Sequence, residues 1–366
     1  MKRIKILIYI FIIFILIGKN LNGQETNNIK KFEPEIYIKK EILLGKKIKY
    51  GGDFVDIKGL MIGDDGYLYL QAGIKEDDKI YNFVDNTFKN AKERGKYASA
   101  NIIKLNSKGE KIFSIKKNIM SMAVDENGDI YIVPDDNKIK GESNKIIQYD
   151  KNGKEIKQFK TKYILKCGKI SRRLLITSKG EFLNKYDKKQ LLIIKKNTNS
   201  DINIRKEKIF NGDIKLRLIY EGLDELNKDR LKLDDIEWEK RFNELPIFIE
   251  ISGLKSLGNK NDFIKIKVDI KGKIPFYYIL NIDKENNIYI LLEKSGDEDK
   301  RYTPFIYIYK ININGEIIAK LEQAQYGKTY QFANVEERYD VDMNGNVYGI
   351  DPREEGFYLI KWEKNK

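Results

Sequence analysis

The sequence predicts an all-β fold, a six-bladed β-propeller built from four-stranded antiparallel blades. The first observation behind this prediction is a repeated segment, cleanest at residues 124–132, which recurs at 282–290 and 341–348 and more loosely at 62–70 and 176–183. The second is its spacing, because the turn position falls at residues 66, 128, 180, 286 and 345, with separations of 62, 52, 106 and 59. Since 106 is twice 53, we expect a sixth, degenerate copy near 215–270.

Each copy predicts two hairpins. In the cleanest copy, Asp125 can cap the turn through its side chain, and Gly128 can adopt a left-handed backbone at no steric cost. The flanking runs, such as Asp-Ile-Tyr-Ile, are β-branched and aromatic, as strands favour. A second pair of apolar runs around a polar turn follows at 146–156, and similar second halves lie at 102–112 and 309–318. Two hairpins per repeat give a four-stranded sheet, and six such sheets can surround a central channel.

The two ends of the chain predict how the ring closes. The last repeat ends with an apolar run at 357–362, and the residues after it are too few and too polar to supply an outer strand. Residues 35–44 form a predicted strand that belongs to no repeat. Because an open sheet edge would leave backbone groups unpaired, we expect 35–44 to pair with 357–362 and close the ring.

The repeat resembles that of the NHL-type six-bladed β-propeller superfamily, of which this chain would be an exported bacterial member. Blades of that superfamily read Asp-x-x-Gly-(Asn/Asp)-(Ile/Val)-Tyr-(Val/Ile), followed by a Phe/Tyr-Asp-x-x-Gly-Lys hairpin, and the match covers about five of six blades. The fourth blade departs from the pattern because it lacks the motif. The resemblance implies the fold, but the superfamily spans lyases, lactonases, receptor domains and scaffolds, so it implies no single function.

The amino terminus predicts export. Residues 1–23 have a basic start, a twelve-residue apolar run from 6 to 17 and a short polar exit, as in a secretory signal peptide. We expect cleavage after Gly23, with an uncleaved anchor as the alternative, followed by a linker at 24–34 and a single propeller domain at 35–366. A run of twelve apolar residues is short for a membrane span, so the mature chain is expected in the periplasm or secreted, without a stable span.

Composition excludes several classes of function. The chain has no histidine and only one cysteine, which rules out imidazole catalysis, zinc sites of the usual kind and a disulfide framework. The net charge of +14 comes mainly from lysine and is expected to lie on a solvated surface. Nucleic acid is therefore not an expected partner, because base readers favour arginine forks. We expect a monomer.

The connections predict where a partner binds. Turns between the first and second strands, and between the third and fourth, lie on one face of a propeller, here called the tight-turn face. The opposite, loop-rich face carries long connections near 72–100, 134–144 and 294–304. Long loops on a rigid scaffold commonly carry recognition, so the loop-rich face is the predicted binding face.

The degenerate blade, about 211–270, contains the largest irregular stretch, 211–246. Asp234 or Asp235 can cap a helix in which Trp238 and Phe242 fall on one face. Two readings remain open: the aromatic stripe packs over the degenerate blade, or it forms a docking element for a protein, peptide or glycan partner.

Function is left open between three classes. The expected one is a non-enzymatic binding scaffold without a cofactor. The alternative is a lactonase- or esterase-like hydrolase with Ca²⁺ in the central channel, for which Asp340 and Asp342 are the candidate ligands, together with Asp125 and Asp283. Capping of the repeated turns already explains all of these except Asp340. The third class is polyanion binding, to a glycan or a nucleic acid, through clustered lysines.

Overall fold

A computed structural model describes residues 35–46, 56–73, 100–117, 119–134, 142–166, 174–177, 179–184, 190–193, 201–210, 212–294, 305–324, 338–353 and 356–365. The predicted signal peptide (1–23) and linker (24–34) lie outside these residues, as do most of the predicted loops near 72–100, 134–144 and 294–304.

The described strands form six antiparallel sheets, numbered here in chain order. Sheet 6 contains the first strand, β1 (Tyr37–Lys46), beside β22 (Gly356–Lys364), β21 (Val347–Arg353) and β20 (Tyr339–Val341). Sheet 1 contains β2 (Asp56–Ile62), β3 (Leu68–Gly73), β4 (Ala100–Leu105) and β5 (Lys111–Lys116). Sheet 2 contains β6 (Ile119–Val124), β7 (Ile130–Pro134), β8 (Glu142–Tyr149) and β9 (Glu155–Lys166). Sheet 5 contains β16 (Phe276–Ile282), β17 (Ile288–Lys294), β18 (Phe305–Ile311) and β19 (Ile317–Ala324).

Two sheets have three strands within the described residues, where four were predicted. Sheet 3 contains β10 (Leu174–Ile176), β11 (Glu181–Asn184) and β12 (Gln190–Ile193), and sheet 4 contains β13 (Lys215–Tyr220), β14 (Ile247–Ser252) and β15 (Phe263–Val268). Three α-helices are described: α1 (Asp201–Phe210), α2 (Leu223–Lys228) and α3 (Asp235–Asn243). Short 3₁₀ turns lie at Arg230–Lys232 and Leu254–Leu257.

The core lies between neighbouring sheets. Buried apolar clusters join sheet 1 to sheet 2, sheet 2 to sheet 3, sheet 4 to sheet 5, sheet 5 to sheet 6, and sheet 6 back to sheet 1. Strand β1 pairs with β22, from Tyr37 opposite Lys364 to Lys46 opposite Gly356, so the predicted pairing of the two ends of the domain is present. The fold is all-β with few helices, and this packing order is consistent with a β-propeller.

The tight turns have the predicted structure. The Oδ1 atom of Asp125 accepts hydrogen bonds from the backbone N–H groups of Asn127 and Asp129, both at 3.0 Å. Gly128 has a left-handed φ of 82° and donates to the carbonyl of Asp125 at 2.9 Å. Asn286 takes the glycine position in sheet 5 and is the one non-glycine residue with positive φ in the described part of the chain, at 64°. The turn aspartates therefore stabilise the backbone.

Some turn glycines also allow neighbouring sheets to approach. A methyl group on Gly345, in the turn of sheet 6, would lie 2.4 Å from the hydroxyl oxygen of Tyr289 in sheet 5. The carbonyl of Gly345 accepts hydrogen bonds from the hydroxyls of Tyr289 (3.3 Å) and Tyr37 (3.0 Å). Gly66, at the same position in sheet 1, has nothing within 4 Å of the place a methyl would occupy.

The fourth repeat has a turn that the sequence analysis missed. Residues 211–214 repeat the Asn-Gly-Asp-Ile of 127–130, and Gly212 has a φ of 75° and donates to the carbonyl of Ile209 at 3.1 Å. Because Ile209 stands where the other turns carry a capping residue, the copy was not recognised. The segment before this turn is helix α1 instead of a strand.

Sheet 4 therefore lacks the first strand of a four-stranded blade. Gly315, in the β18–β19 turn of sheet 5, lies against Ile264 in β15, just as Gly153 in the β8–β9 turn of sheet 2 lies against Phe113 in β5. Since β5 is the fourth strand of sheet 1, β15 is the fourth strand of its blade and β13 the second. Helix α1 contacts β10 and β16, the first strands of sheets 3 and 5, so it takes the place of the missing strand.

Two matched substitutions test the role of the turn glycines. Gly66→Ala is expected to cost about 1 kcal/mol of unfolding free energy, because alanine is strained at positive φ. Gly345→Ala is expected to cost at least about 2 kcal/mol more, because its methyl group also meets the buried Tyr289. Chemical denaturation of both variants measures the difference. Equal losses would show that the sheets do not depend on this close approach.

Candidate functional site

The loop-rich face carries the helical connection of sheet 4. Residues 221–246 join β13 to β14, the second and third strands of that blade, and such connections lie on the loop-rich face. A methyl group placed on Gly272, in the connection from sheet 4 to sheet 5, would lie 3.4 Å from two side chains. These are Asn243 at the end of α3 and Lys294 at the end of β17. The predicted binding face therefore contains α2, the 3₁₀ turn and α3, which together with their flanking residues we call the insertion (221–246).

The predicted helix is present. The side chain of Asp234 accepts a hydrogen bond from the backbone N–H of Glu237 at 2.8 Å, which caps the first turn of α3. Acidic residues occupy the first turn and basic residues the last, as the helix dipole favours. Glu237 also pairs with Arg241 one turn later, at 2.9 Å.

Trp238 and Phe242 form the interior of the insertion. Their rings are stacked with centroids 5.2 Å apart, and Phe242 lies 4.9 Å from the ring of Tyr220 at the end of β13. The guanidinium of Arg230 covers the other part of Trp238, 5.2 Å from the ring. Both aromatic side chains are half-buried, and Tyr220 accepts a hydrogen bond from the backbone of Ile274 at 2.8 Å. The stack thus holds the insertion against sheet 4, in agreement with the packing interpretation, and a docking role for Trp238 and Phe242 stays a prediction of the sequence.

Other apolar side chains of the insertion face solvent. Leu231 is 100% exposed and Ile236 is 81% exposed, and no residue of α3 is fully buried. Nine acidic and five basic residues lie between 221 and 245, a local charge of 5 − 9 = −4 in a chain of net charge +14. An exposed apolar pair within an acidic surface is suited to a partner that is itself apolar and cationic.

The candidate calcium ligands are occupied by hydrogen bonds. Asp342 caps its turn by accepting from the backbone N–H groups of Asn344 and Asn346, both at 2.9 Å. Asp340 is buried in β20, where its two carboxylate oxygens accept from the backbone N–H groups of Val341 and Ile62, both at 2.9 Å. The bond to Ile62 ties sheet 6 to sheet 1, which gives Asp340 a structural role.

Asp125 and Asp283 cap their own turns in the same way. Among the residues that the structure describes, no group of three or more acidic, cysteine or histidine side chains could hold a metal. A calcium site stays a prediction of the sequence.

Two carboxylates that were not singled out from the sequence, the buried Asp351 and the partly buried Glu293, lie between sheets 5 and 6. Glu293 follows Leu291 by two residues and Asp351 follows Val347 by four, and both apolar residues belong to the cluster between these sheets. Since side chains alternate along a strand, Glu293 and Asp351 face the same layer at its loop-rich end. One oxygen of each, Oε2 of Glu293 and Oδ1 of Asp351, is buried and has no hydrogen-bond partner in the described structure.

The surroundings of Asp351 change its proton affinity. Its other oxygen, Oδ2, accepts from Gln323 of β19 at 3.0 Å and from Arg353 at 2.8 Å. Complete burial raises the pKa of Asp351 to about 6, although Arg353 acts in the opposite direction. Arg353 also binds Glu41 of β1 at 2.9 Å.

The neighbouring carboxyls respond differently. Burial alone would raise the pKa of Glu41, but the bonds from Arg353 and Lys39 lower it to about 2. Burial raises the pKa of Glu293, and the charge of Arg338 opposes this. The layer thus holds two carboxyls that can exchange a proton closer to neutral pH than usual, and whose unpaired oxygens can accept N–H or O–H donors. They were missed because polar residues at strand ends resemble the solvated start of a loop.

No family model matches the sequence, and no curated protein matches it. Among solved structures, the chain is similar to a member of the DUF4221 family from Bacteroides vulgatus, with a TM-score of 0.40 and 9% identity over 92% of this chain and 100% of that one. It is also similar to the Dos1 propeller, with a TM-score of 0.24 and 10% identity over 87% of this chain and 70% of that one. At such scores the fold rests on the sheets described above.

None of the helices in the described part of the chain is long and apolar enough to cross a membrane.

The raised pKa of Asp351 predicts that the stability of the protein depends on pH. Its pKa is raised in the folded state, so its favourable contribution is complete below about pH 4 and is lost as the pH rises through about 6. The unfolding free energy of the native chain, minus that of Asp351→Asn, is therefore expected to fall between pH 4 and 7.5 by on the order of 2–3 kcal/mol. Urea unfolding of both proteins at four pH values measures this difference. A constant difference across that range would contradict the assignment.

Proposed function

We propose that the chain is an exported six-bladed β-propeller of NHL type whose ring is closed by β1. The predicted signal peptide supports export. The contacts of the first described residues support closure, because Glu35 reaches sheet 5 as well as sheet 6. Its carboxylate accepts from Lys310 of β18 at 2.8 Å and from Lys364 of β22 at 2.6 Å, and its backbone N–H donates to the carbonyl of Ile318 at 3.0 Å.

A deletion pair tests this closure. Removal of residues 30–45 takes away the outer strand of sheet 6 and leaves the ammonium of Lys310, which is 1% exposed, without Glu35. We expect a loss of Tm of on the order of 10 °C, or failure to fold. Removal of residues 24–34 alone is the control and should leave the Tm unchanged. If the larger deletion has the same Tm as the control, β1 does not close the ring.

The proposed function is that of a binding scaffold for a cationic protein partner. The observation that carries it is the exposure of Leu231 (100%) and Ile236 (81%) in an acidic insertion, which is itself held on sheet 4 by the stack of Trp238, Phe242 and Tyr220. An apolar and acidic surface can contribute to binding in two ways, through burial of apolar area and through charge complementarity with the partner. No step in this function requires a cofactor.

Substitution of the exposed pair tests the surface. A protein captured from an envelope extract by the immobilised mature chain should bind Leu231→Ser/Ile236→Ser at least about tenfold more weakly, because two apolar contacts are lost. Its binding should also weaken with salt. Ile156→Ser, at a 54% exposed position on β9, is the control. Equal loss in both variants, or no loss in either, would place the site elsewhere.

Trp238→Ala separates docking from folding. Because Trp238 packs between Arg230 and Phe242, we expect it to lower the unfolding free energy by about 2 kcal/mol. The serine double variant should change that free energy by less than about 0.5 kcal/mol, because its side chains are exposed. Thermal and urea unfolding of both measure this. A stable Trp238→Ala variant that loses the partner would instead make Trp238 a contact residue.

A further inference from the structure

Helix α1 connects parts of the molecule that are distant in the chain. It contacts β10 of sheet 3 and β16 of sheet 5, which are the first strands of their sheets. First strands line the central channel of a propeller. Ile209, near the end of the helix, packs against the core cluster between sheets 4 and 5.

Three cationic side chains of α1 each reach a different sheet. Lys206 donates to Asp64 in the first turn of sheet 1 at 2.5 Å. Arg205 donates to the side chain of Asn286 at 3.0 Å and to the carbonyl of Lys284 at 2.9 Å, both in the first turn of sheet 5. These contacts are charge-assisted hydrogen bonds, which are stronger than neutral ones.

The third cation is Lys208, which donates to the carbonyl of Ser256 in the β14–β15 connection of sheet 4. That connection also touches the β18–β19 turn of sheet 5, because Asn259 donates to the carbonyl of Ile313. All three acceptor segments therefore lie on the tight-turn face.

From these contacts we propose that α1 is a plug that closes the channel at the tight-turn face. The proposal rests on the six-bladed ring proposed above. In such a ring sheets 1 and 4 stand opposite each other, so a helix that directly precedes β13 of sheet 4 and binds Asp64 of sheet 1 has to reach across the opening. The partner atoms are themselves shielded, since the side chain of Asp64 is 7% exposed and that of Lys206 is 27% exposed.

With α1 as a plug, the channel is open only at the loop-rich face. A ligand that enters the channel has to enter from the loop-rich face, where the insertion and the two carboxyls Glu293 and Asp351 lie. Helix α1 thus performs two tasks, because it also fills the place of the first strand between sheets 3 and 5.

Zero-length cross-linking of the native protein tests the geometry. A carbodiimide joins a carboxylate and an amine in ion-pair contact through an amide bond, while the reagent takes up the released water as its urea. We expect a cross-linked peptide that joins Asp64 to Lys206, identified by mass spectrometry and absent in Asp64→Asn. The pair Asp65 and Lys104, whose side chains are 8% and 5% exposed, is the matched control for access of the reagent. A 65–104 link without a 64–206 link would overturn the proposal.

Hydrogen exchange tests whether the cations hold the plug. In Asp64→Asn/Arg205→Gln, amides of α1 are expected to exchange about tenfold faster or more, because the helix loses two of its three attachments. Glu126→Gln is the matched control, since Glu126 takes the place of Asp64 in the equivalent turn of sheet 2 and is exposed. Unchanged exchange in the double variant would overturn the plug. Neither experiment depends on Leu231 or Ile236, so a failure here is distinct from a failure of the proposed partner surface.

Discussion

Each tight turn can rest on a cluster of polar side chains in the preceding sheet, and this contact limits how closely neighbouring sheets can pack. In sheet 5, the hydroxyl of Tyr289 and the ammonium of Lys310 lie opposite each other in the strand register and both contact the turn carboxylate of Asp283, at 3.1 and 3.4 Å. Gly345 of sheet 6 rests on this cluster. Because Lys310 is buried, its charge needs its carboxylate partners, and the loss of one would leave a buried ion. The packing of the Asp283 turn, of the strand pair β17–β18 and of the neighbouring sheet 6 therefore depends on the same set of contacts.

Variation between the sheets shows what this contact requires. In sheet 1 the same arrangement joins Tyr69 and Lys104 to Asp65, each at 2.8 Å, although the acid stands at a different place in the turn. In sheet 2 the lysine position is occupied by Gln148, which donates to Asp129 at 2.9 Å and to the hydroxyl of Tyr131 at 3.2 Å. A donor opposite the tyrosine is thus the common element, and a positive charge is not essential.

The parts of the fold that depend on local chemistry could be predicted from the sequence. The capped turns were visible because an acid and a glycine three residues apart are enough to make them, and the pairing of β1 with β22 followed from two unmatched strands. Helix α1 was not visible, because Ile209 replaces the capping residue and hides the repeat. Glu293 and Asp351 were missed for another reason: they are 58 residues apart and belong to the same layer only through the packing of two sheets. Trp238 and Phe242 were correctly placed on one helix face, but the sequence could not show that Tyr220 and Arg230 enclose them.

Within the described residues, the charged side chains of the tight-turn face and those of the insertion differ in their surroundings. Lysines such as Lys104 and Lys310 are buried in carboxylate clusters, and the cations of α1 bind turns on the tight-turn face. These positive charges are paired with acceptors inside the fold, and because each ion pair cancels one charge of each sign, the net charge of +14 is carried by the remaining residues. On the loop-rich face, the insertion carries an excess of acid around its exposed apolar side chains. The local charge of the insertion is therefore opposite in sign to that of the whole chain, and the proposed cationic partner would be favoured by short-range complementarity at this surface.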